Sequence, residues 1–250
     1  MSDILRLVRF GTLPYDAAWR WQRDTAAGVR KGAPEALALL QHPPTYTFGR
    51  RVRPEHLLVD AGTLRARGAT LVESDRGGDV TFHGPGQVVC YPILNLRRYS
   101  LGAADYVRLL ERTMIGALRR FGVEAGVVHG RPGVWLGGAK IGAIGVRIEG
   151  GVTTHGFALN VDTDLAWYDA IVPCGIAGAA VTSLAQVGVA VSIEAVEDAL
   201  LEGFATLLDV AFDGADRSCQ TALLYSQGEG PGERLSQASS EQPSVSLSRA

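Results

Sequence analysis

The chain has 250 residues, 46% of them hydrophobic and 20% charged, with a formal net charge of −2. That is ordinary globular composition with enough apolar material for one sizeable core. The near-neutral balance excludes a global basic field of the kind that drives sequence-independent nucleic-acid binding.

No stretch approaches the ~18 consecutive apolar residues of a membrane span. Met1 to Phe10 alternates apolar and charged residues rather than forming the apolar segment of a signal peptide. Three cysteines, Cys90, Cys174 and Cys219, make neither a paired disulfide framework nor a zinc-ligand spacing. A cytoplasmic chain with no metal is the expectation. Glycine is over-used, at 31 residues, and is concentrated where reactive side chains also occur. A pocket lined by main chain is one use for such glycines.

In chain order, an amphipathic helix is expected around Pro14 to Val29, with Trp19, Gln22, Ala26 and Val29 on one face and Gly32 able to end it. A second runs from Asp105 to Phe121, with Val107, Leu110, Met114, Leu118 and Phe121 on one stripe and Gly122 as C-cap. Ser192 is the N-cap of a third, whose stripe is Val196, Leu200, Phe204 and Leu207. Between them, strands are expected at residues 5–10, 36–41, 88–94, 127–129, 134–136, 140–148 and 152–161. Gly137-Gly138 and Glu149-Gly150-Gly151 read as hairpin turns. Such hairpins, with helices between groups of strands, predict an α/β fold with a mixed, largely antiparallel sheet flanked by helices. Residues 1–215 are expected to form a single domain. The tail, mostly disordered from about residue 226, has seven serines after Tyr225 and too few aliphatics to offset its ordering entropy.

Three segments carry chemistry. Arg76-Gly77-Gly78-Asp79-Val80-Thr81-Phe82-His83-Gly84-Pro85-Gly86-Gln87 reads as a loop and strand whose backbone approaches a ligand, with His83 able to move a proton or orient a carbonyl. It is not a phosphate loop, because no Gly-Lys-Ser/Thr follows. A tight turn with a merely structural histidine is the bland alternative. In Gly138-Ala139-Lys140-Ile141-Gly142, alternation puts Lys140 on the face of Gly142 and Ile144, unless a bulge intervenes. Lys140 can hold a substrate oxygen or lower the pKa of a nearby thiol, whereas an edge-strand lysine is the structural alternative. Cys174 lies in a loop between Pro173 and Gly175, unlike Cys90, which sits in the apolar run Val88-Val89-Cys90-Tyr91 and reads as a packed thiol. A cysteine nucleophile needs a charge partner, and spacing alone names none.

The segment 76–87 resembles the signature of the lipoyl(octanoyl) transferases. His42-Pro43-Pro44-x-Tyr46-Thr47-x-Gly49-Arg50, Gly138-x-Lys140-Ile141-x-x-x-Gly145, His155-Gly156-Phe157-Ala158-Leu159-Asn160-Val161 and Ile171-Val172-Pro173-Cys174-Gly175 resemble the same family in the same order. The resemblance spans roughly residues 5 to 210. It implies a domain similar to the catalytic domains of biotin and lipoate protein ligases, with Cys174 as the acyl-forming nucleophile and Lys140 lowering its pKa. It also implies acyl binding by Arg76, Gly77, Gly78, Asp79, Val80, Thr81, Phe82 and His83, by Ala143, Ile144 and Gly145, and by Gly156, Phe157 and Ala158. Donor and acceptors would be octanoyl acyl carrier protein and the lipoyl domains of 2-oxoacid dehydrogenase complexes and the glycine cleavage H protein, with no ATP or other cofactor. An ATP-dependent lipoate or biotin ligase, a non-catalytic binding module and a cysteine hydrolase are the rival readings.

Overall fold

The computed structural model describes residues 3–173 and 180–216. The apolar run Ala36–Gln41 (β2) forms a strand buried along nearly its whole length, as expected of a strand with neighbours on both sides and both faces covered. It pairs in parallel with β1 (Asp3–Thr12) and antiparallel with β6 (Gln87–Ile93). From β6 the sheet continues through β10 (Val152–Asn160), β9 (Ala139–Glu149), β8 (Arg131–Leu136) and β7 (Gly126–Val128), every pair antiparallel. At the other edge β11 (Val210–Asp216) lies parallel to β1. The sheet is therefore mixed and largely antiparallel, as the hairpin signals indicated.

Alternation in the strands divides the interior in two. Leu37, Leu39, Val88 and Cys90 face a core completed by Tyr106, Leu110 and Met114 of α3 (Ala103–Arg120) and Leu200 and Phe204 of α4 (Ile193–Leu208). Ala38, Leu40, Val89 and Tyr91 face Ala18, Trp21 and Val29 of α1 (Tyr15–Arg30). Local signals held at the helix ends. Ser192 Oγ accepts from the Ala195 N–H at 3.2 Å, and Gly122, with φ of +75°, follows α3. The glycine pairs 137–138 and 150–151 have φ of +55°, +88°, +62° and +90°, the double positive φ of a type I′ hairpin.

Two expectations needed correction. Trp21, not Trp19, is the fully buried aromatic of α1; Trp19 is half-buried, with Arg23 5.2 Å from its ring centroid. Lys140 also does not follow simple alternation. A register shift separates the pairs Val134–Gly142 and Trp135–Lys140, so Ile141 enters the core while Gly142 rests against Met114. The bulge allowed for in the sequence is present there.

A second sheet has no counterpart in the expected elements. β3 (Thr45–Phe48) is flanked by β4 (Thr70–Glu73), parallel, and β5 (Val80–His83), antiparallel. With α2 (Ala61–Ala66) it encloses Tyr46, Leu64, Phe82 and Tyr168. Each of its strands has four residues, too few for an alternation signal amid glycine and arginine. The expected disordered tail and the rest of residues 217–250 lie outside the described residues.

Candidate active site

Residues of both sheets line a cleft of about 860 Å3. Its roof is the loop before β5. Arg76 is buried there. Its Nε donates to Thr47 Oγ1 at 3.0 Å, and its two terminal nitrogens donate to the carbonyls of Thr47, Asp79 and Gly77 at 2.6, 2.6 and 3.0 Å. A guanidinium used in this way satisfies several inward-facing carbonyls at once and holds the loop shape. The Gly77 N–H donates to Val146 O at 2.9 Å, pinning the roof to β9. Asp79 accepts from the Val80 N–H at 2.7 Å and pairs with His56 Nδ1 at 2.6 Å.

The floor is made of small residues in register. Gly145 lies opposite Gly156, and Ala143 opposite Ala158. A Cβ on Gly156 would stand 2.0 Å from Cys90 O, so no side chain fits there, where β10 pairs with β6. Ile144 and Phe157 complete the apolar lining. Of the residues assigned to acyl binding, Arg76, Gly77, Gly78, Asp79, Val80, Thr81, His83, Ala143, Ile144, Gly145, Gly156, Phe157 and Ala158 line this cleft. Phe82 does not. Alternation turns its ring the other way, stacked on Trp167 with centroids 5.2 Å apart and planes 7° apart.

A buried wall of three histidines and two tyrosines borders the cleft. Only His83 was singled out as chemistry in the sequence, because Tyr15 and Tyr91 read as helix and strand residues. His42 Nδ1 donates to Leu13 O at 2.6 Å and its Nε2 bonds Tyr91 OH at 2.8 Å. Desolvation lowers His42 to about 4 and pushes His83 well below the ordinary imidazole value, helped by the neighbouring His42. His155, with φ of +58°, meets Asp75 through Nε2 at 2.7 Å. Burial lowers its pKa, against the carboxylate's pull, while its hydrogen bond lowers that of Asp75. A neutral Nε2–H donor to an ionised carboxylate satisfies both directions.

His83 Nδ1 lies 2.8 Å from Gln87 Oε1. The Gln87 amide nitrogen is 2.9 Å from Asn160 Oδ1 and 3.0 Å from Tyr168 OH, so its oxygen is the acceptor for His83. Neutral His83 therefore carries its proton on Nδ1, and Nε2 is left as an acceptor. In this tautomer Nε2 can accept a proton or a hydrogen bond but cannot donate one.

Lys140 is buried at the far side of the cleft. Its Nζ donates to Pro132 O at 3.2 Å and lies 4.7 Å from the Trp135 ring centroid. Cys174 lies outside the described residues, as does Cys219, but the chain on either side of residue 174 is described. Val172 N–H donates to His56 O at 2.9 Å, and Pro173 borders a small second cavity with Lys140, Thr81, Asn160 and Tyr168. On the return, Lys140 N–H donates to Ala180 O at 2.8 Å, and Thr182 N–H donates to Lys140 O at 2.9 Å. Asn160 Nδ2 holds Thr182 O at 3.0 Å. Cys90 is fully buried, and desolvation pushes its thiol well above its ordinary value. Among the described residues no cluster of three or more histidine, cysteine or carboxylate side chains is arranged to hold a metal, and no helix is long and apolar enough to cross a membrane.

Residues 14–205 match the lipoyl protein ligase A/B catalytic domain. The chain belongs to this family. It is 45% identical over 211 residues to an octanoyltransferase of Chloroflexus aggregans, covering 82% of this chain and 96% of that one. An octanoyltransferase of Mycobacterium marinum is 45% identical over 217 residues, covering 83% and 90%. With relatives this similar over this share of both chains, the protein is an acyltransferase. A lipoate-protein ligase A solved with ATP shares the fold, with a TM-score of 0.74 and 19% identity over 90% of this chain and 93% of that one. So does a bipartite lipoate protein ligase of Thermoplasma acidophilum, solved in a study of that ligase and its lipoyl domain, with a TM-score of 0.66 and 19% identity over 90% and 91%.

Proposed function

We propose that this chain transfers an octanoyl group from acyl carrier protein to a lysine of lipoyl domains, through a thioester on Cys174. The observation that carries the reading is the anchoring of both flanks of residues 174–179 at Lys140. Pro173 shares a cavity with it, and Ala180 and Thr182 are hydrogen-bonded to its backbone. Residue 174 directly follows Pro173, and this supports pairing its thiol with that ammonium.

The chemistry then runs in two halves. The Cys174 thiolate, favoured by the Lys140 ammonium, attacks the thioester carbonyl, and backbone N–H groups stabilise the developing oxyanion. The carbon–sulfur bond to the carrier's phosphopantetheine breaks, and the departing sulfur takes the proton of Lys140. The acceptor amine next attacks the acyl-enzyme and gives its surplus proton to Lys140. Cys174 leaves as thiolate, and an amide and a free carrier thiol are the net products. The amide is more stable than the thioester it replaces, so the sequence needs no nucleotide. The floor of Gly145, Gly156, Ala143 and Ala158 suits a narrow unbranched chain, and a cytoplasmic setting suits a reduced thiol.

The rival reading, an ATP-dependent ligase on the same fold, is separated by one experiment. The protein is incubated with octanoyl carrier protein and no nucleotide, and intact mass and peptide mapping are recorded. One octanoyl group on Cys174, transferred to an added lipoyl domain, is the expected result. Modification that requires ATP and survives Cys174→Ala overturns the reading.

A further inference from the structure

The charge of the cleft departs sharply from that of the chain. The whole sequence carries a formal −2, yet among the described residues five cationic side chains line the cleft, Arg51, Arg53, Arg76, Arg131 and Lys140, against the single carboxylate of Asp79. That carboxylate is already engaged by His56 and the Val80 N–H. Arg76 and Lys140 are buried, but Arg51, Arg53 and Arg131 are exposed. None of these three forms an ion pair among the described residues. Arg131 opens β8, whose Pro132 carbonyl receives the Lys140 ammonium. Arg51 and Arg53 also line the cleft, on a loop held by main-chain hydrogen bonds. Arg50 N–H donates to Arg76 O, Arg51 N–H to Gly78 O and Val52 N–H to Gly49 O, each at 3.0 Å. Three exposed guanidinium groups are thus presented on a stiff rim, where a low-dielectric cleft focuses their field.

We propose that Arg51, Arg53 and Arg131 form the docking surface for an acidic protein face, that of the carrier that delivers the acyl thioester. The inference rests on the transfer reaction given above and adds to it where the donor is held. Charge complementarity at a rim accelerates encounter and selects partners more than it tightens the final complex. The donor step should therefore depend on ionic strength, while chemistry inside the cleft should not.

The test compares three donors with the full chain and a lipoyl-domain acceptor: octanoyl carrier protein, octanoyl-phosphopantetheine and uncharged octanoyl-pantetheine. For the doubly substituted Arg51→Glu, Arg53→Glu protein, KM for the carrier-borne donor should rise on the order of tenfold with kcat nearly unchanged. KM for octanoyl-pantetheine should stay within about twofold, which also shows that the variant is folded. Arg131→Glu should act in the same direction, and the salt dependence of wild-type kcat/KM should flatten in the variants. An equal rise for octanoyl-phosphopantetheine would assign the rim to the phosphate of the arm and overturn the docking surface. An equal rise for all three donors would make the rim part of the acyl cleft, and unchanged KM would leave it without a role; either overturns the proposal. Wild type inactive with every donor would instead refute the transfer reaction itself.

Discussion

Cys90 on β6 and Lys140 on β9 are both buried in the main sheet, and their surroundings differ in a way that decides their chemistry. The Cys90 thiol is packed among leucines and aromatics with its pKa driven up, so it is a poor nucleophile. Cys90→Ala should retain nearly full transfer activity at a stability cost on the order of 1 kcal/mol, read by urea unfolding. Cys174→Ser should retain no acyl-enzyme by intact mass; full turnover by Cys174→Ala would end the covalent mechanism. The ammonium of Lys140 is held by Pro132 O and the face of Trp135, contacts that suit a cation. In the proposed pair, the Cys174 thiol should titrate below its ordinary value of about 8.5. Lys140→Met should raise that value, slowing alkylation near neutrality with partial recovery at higher pH. Lys140→Arg keeps the charge but not the exchangeable proton, so it should spare acylation more than transfer. Superimposable alkylation profiles for wild type and Lys140→Met would separate the two residues for good.

Among the elements, β10 does most to position the site. Its Gly156 touches the backbone of β6, and its Asn160 ties Gln87, at the end of the roof motif, to Thr182, beyond Cys174. Asn160→Leu would leave the buried Gln87 amide and Thr182 carbonyl without this partner, at a cost of about 1–3 kcal/mol for each unsatisfied group. We expect a lower thermal midpoint and, near neutrality, slower Cys174 acylation than in an equally destabilised core variant such as Leu200→Ala. Equal loss in the two would make the Asn160 network purely structural. Gly156→Ala forces a carbon to within 2.0 Å of Cys90 O, so β10 and β6 must separate. Soluble protein of wild-type stability from that variant would contradict the packing. Asn160 was visible in the sequence as part of a motif, but its partners were not, because they come from positions 22 and 73 residues away.

At the scale of the whole molecule, three neutral imidazoles, His42, His83 and His155, are built into the junction of the two sheets, and all three have lowered pKa values. Below pH 6.5 the unfolded chain binds protons that these native side chains refuse, so stability falls as pH falls. The decline begins near 6.5 and, for His42, ends near its folded value of about 4. At 1.36 kcal/mol per pH unit, His42 alone accounts for about 3 kcal/mol across that range. The depressed Asp75 carboxyl acts only below about pH 3.8. Urea midpoints between pH 7 and 5 should therefore drop with proton uptake on unfolding approaching one per buried histidine. A flat profile would show that the histidines are not neutral in the fold.

Local chemistry was enough for much of this architecture. The Ser192 cap, the two double-glycine hairpins, the apolar run of β2 and the bland setting of Cys90 each depend on neighbours within a few residues, and each was legible in the sequence. Tertiary structure alone decided the rest. The second sheet pairs four-residue strands from distant parts of the chain, Trp21 rather than Trp19 fills the core because the strands beneath α1 set its rotation, and Phe82 turns away from the cleft because β5 pairs with β3. Arg51, Arg53 and Arg131 look like an ordinary solvated run and a lone charge until the fold sets them around one opening. The physical reason is common to all of these: hydrogen bonding and backbone preference act along a few residues, whereas burial and electrostatic focusing depend on which surfaces the folded chain brings together.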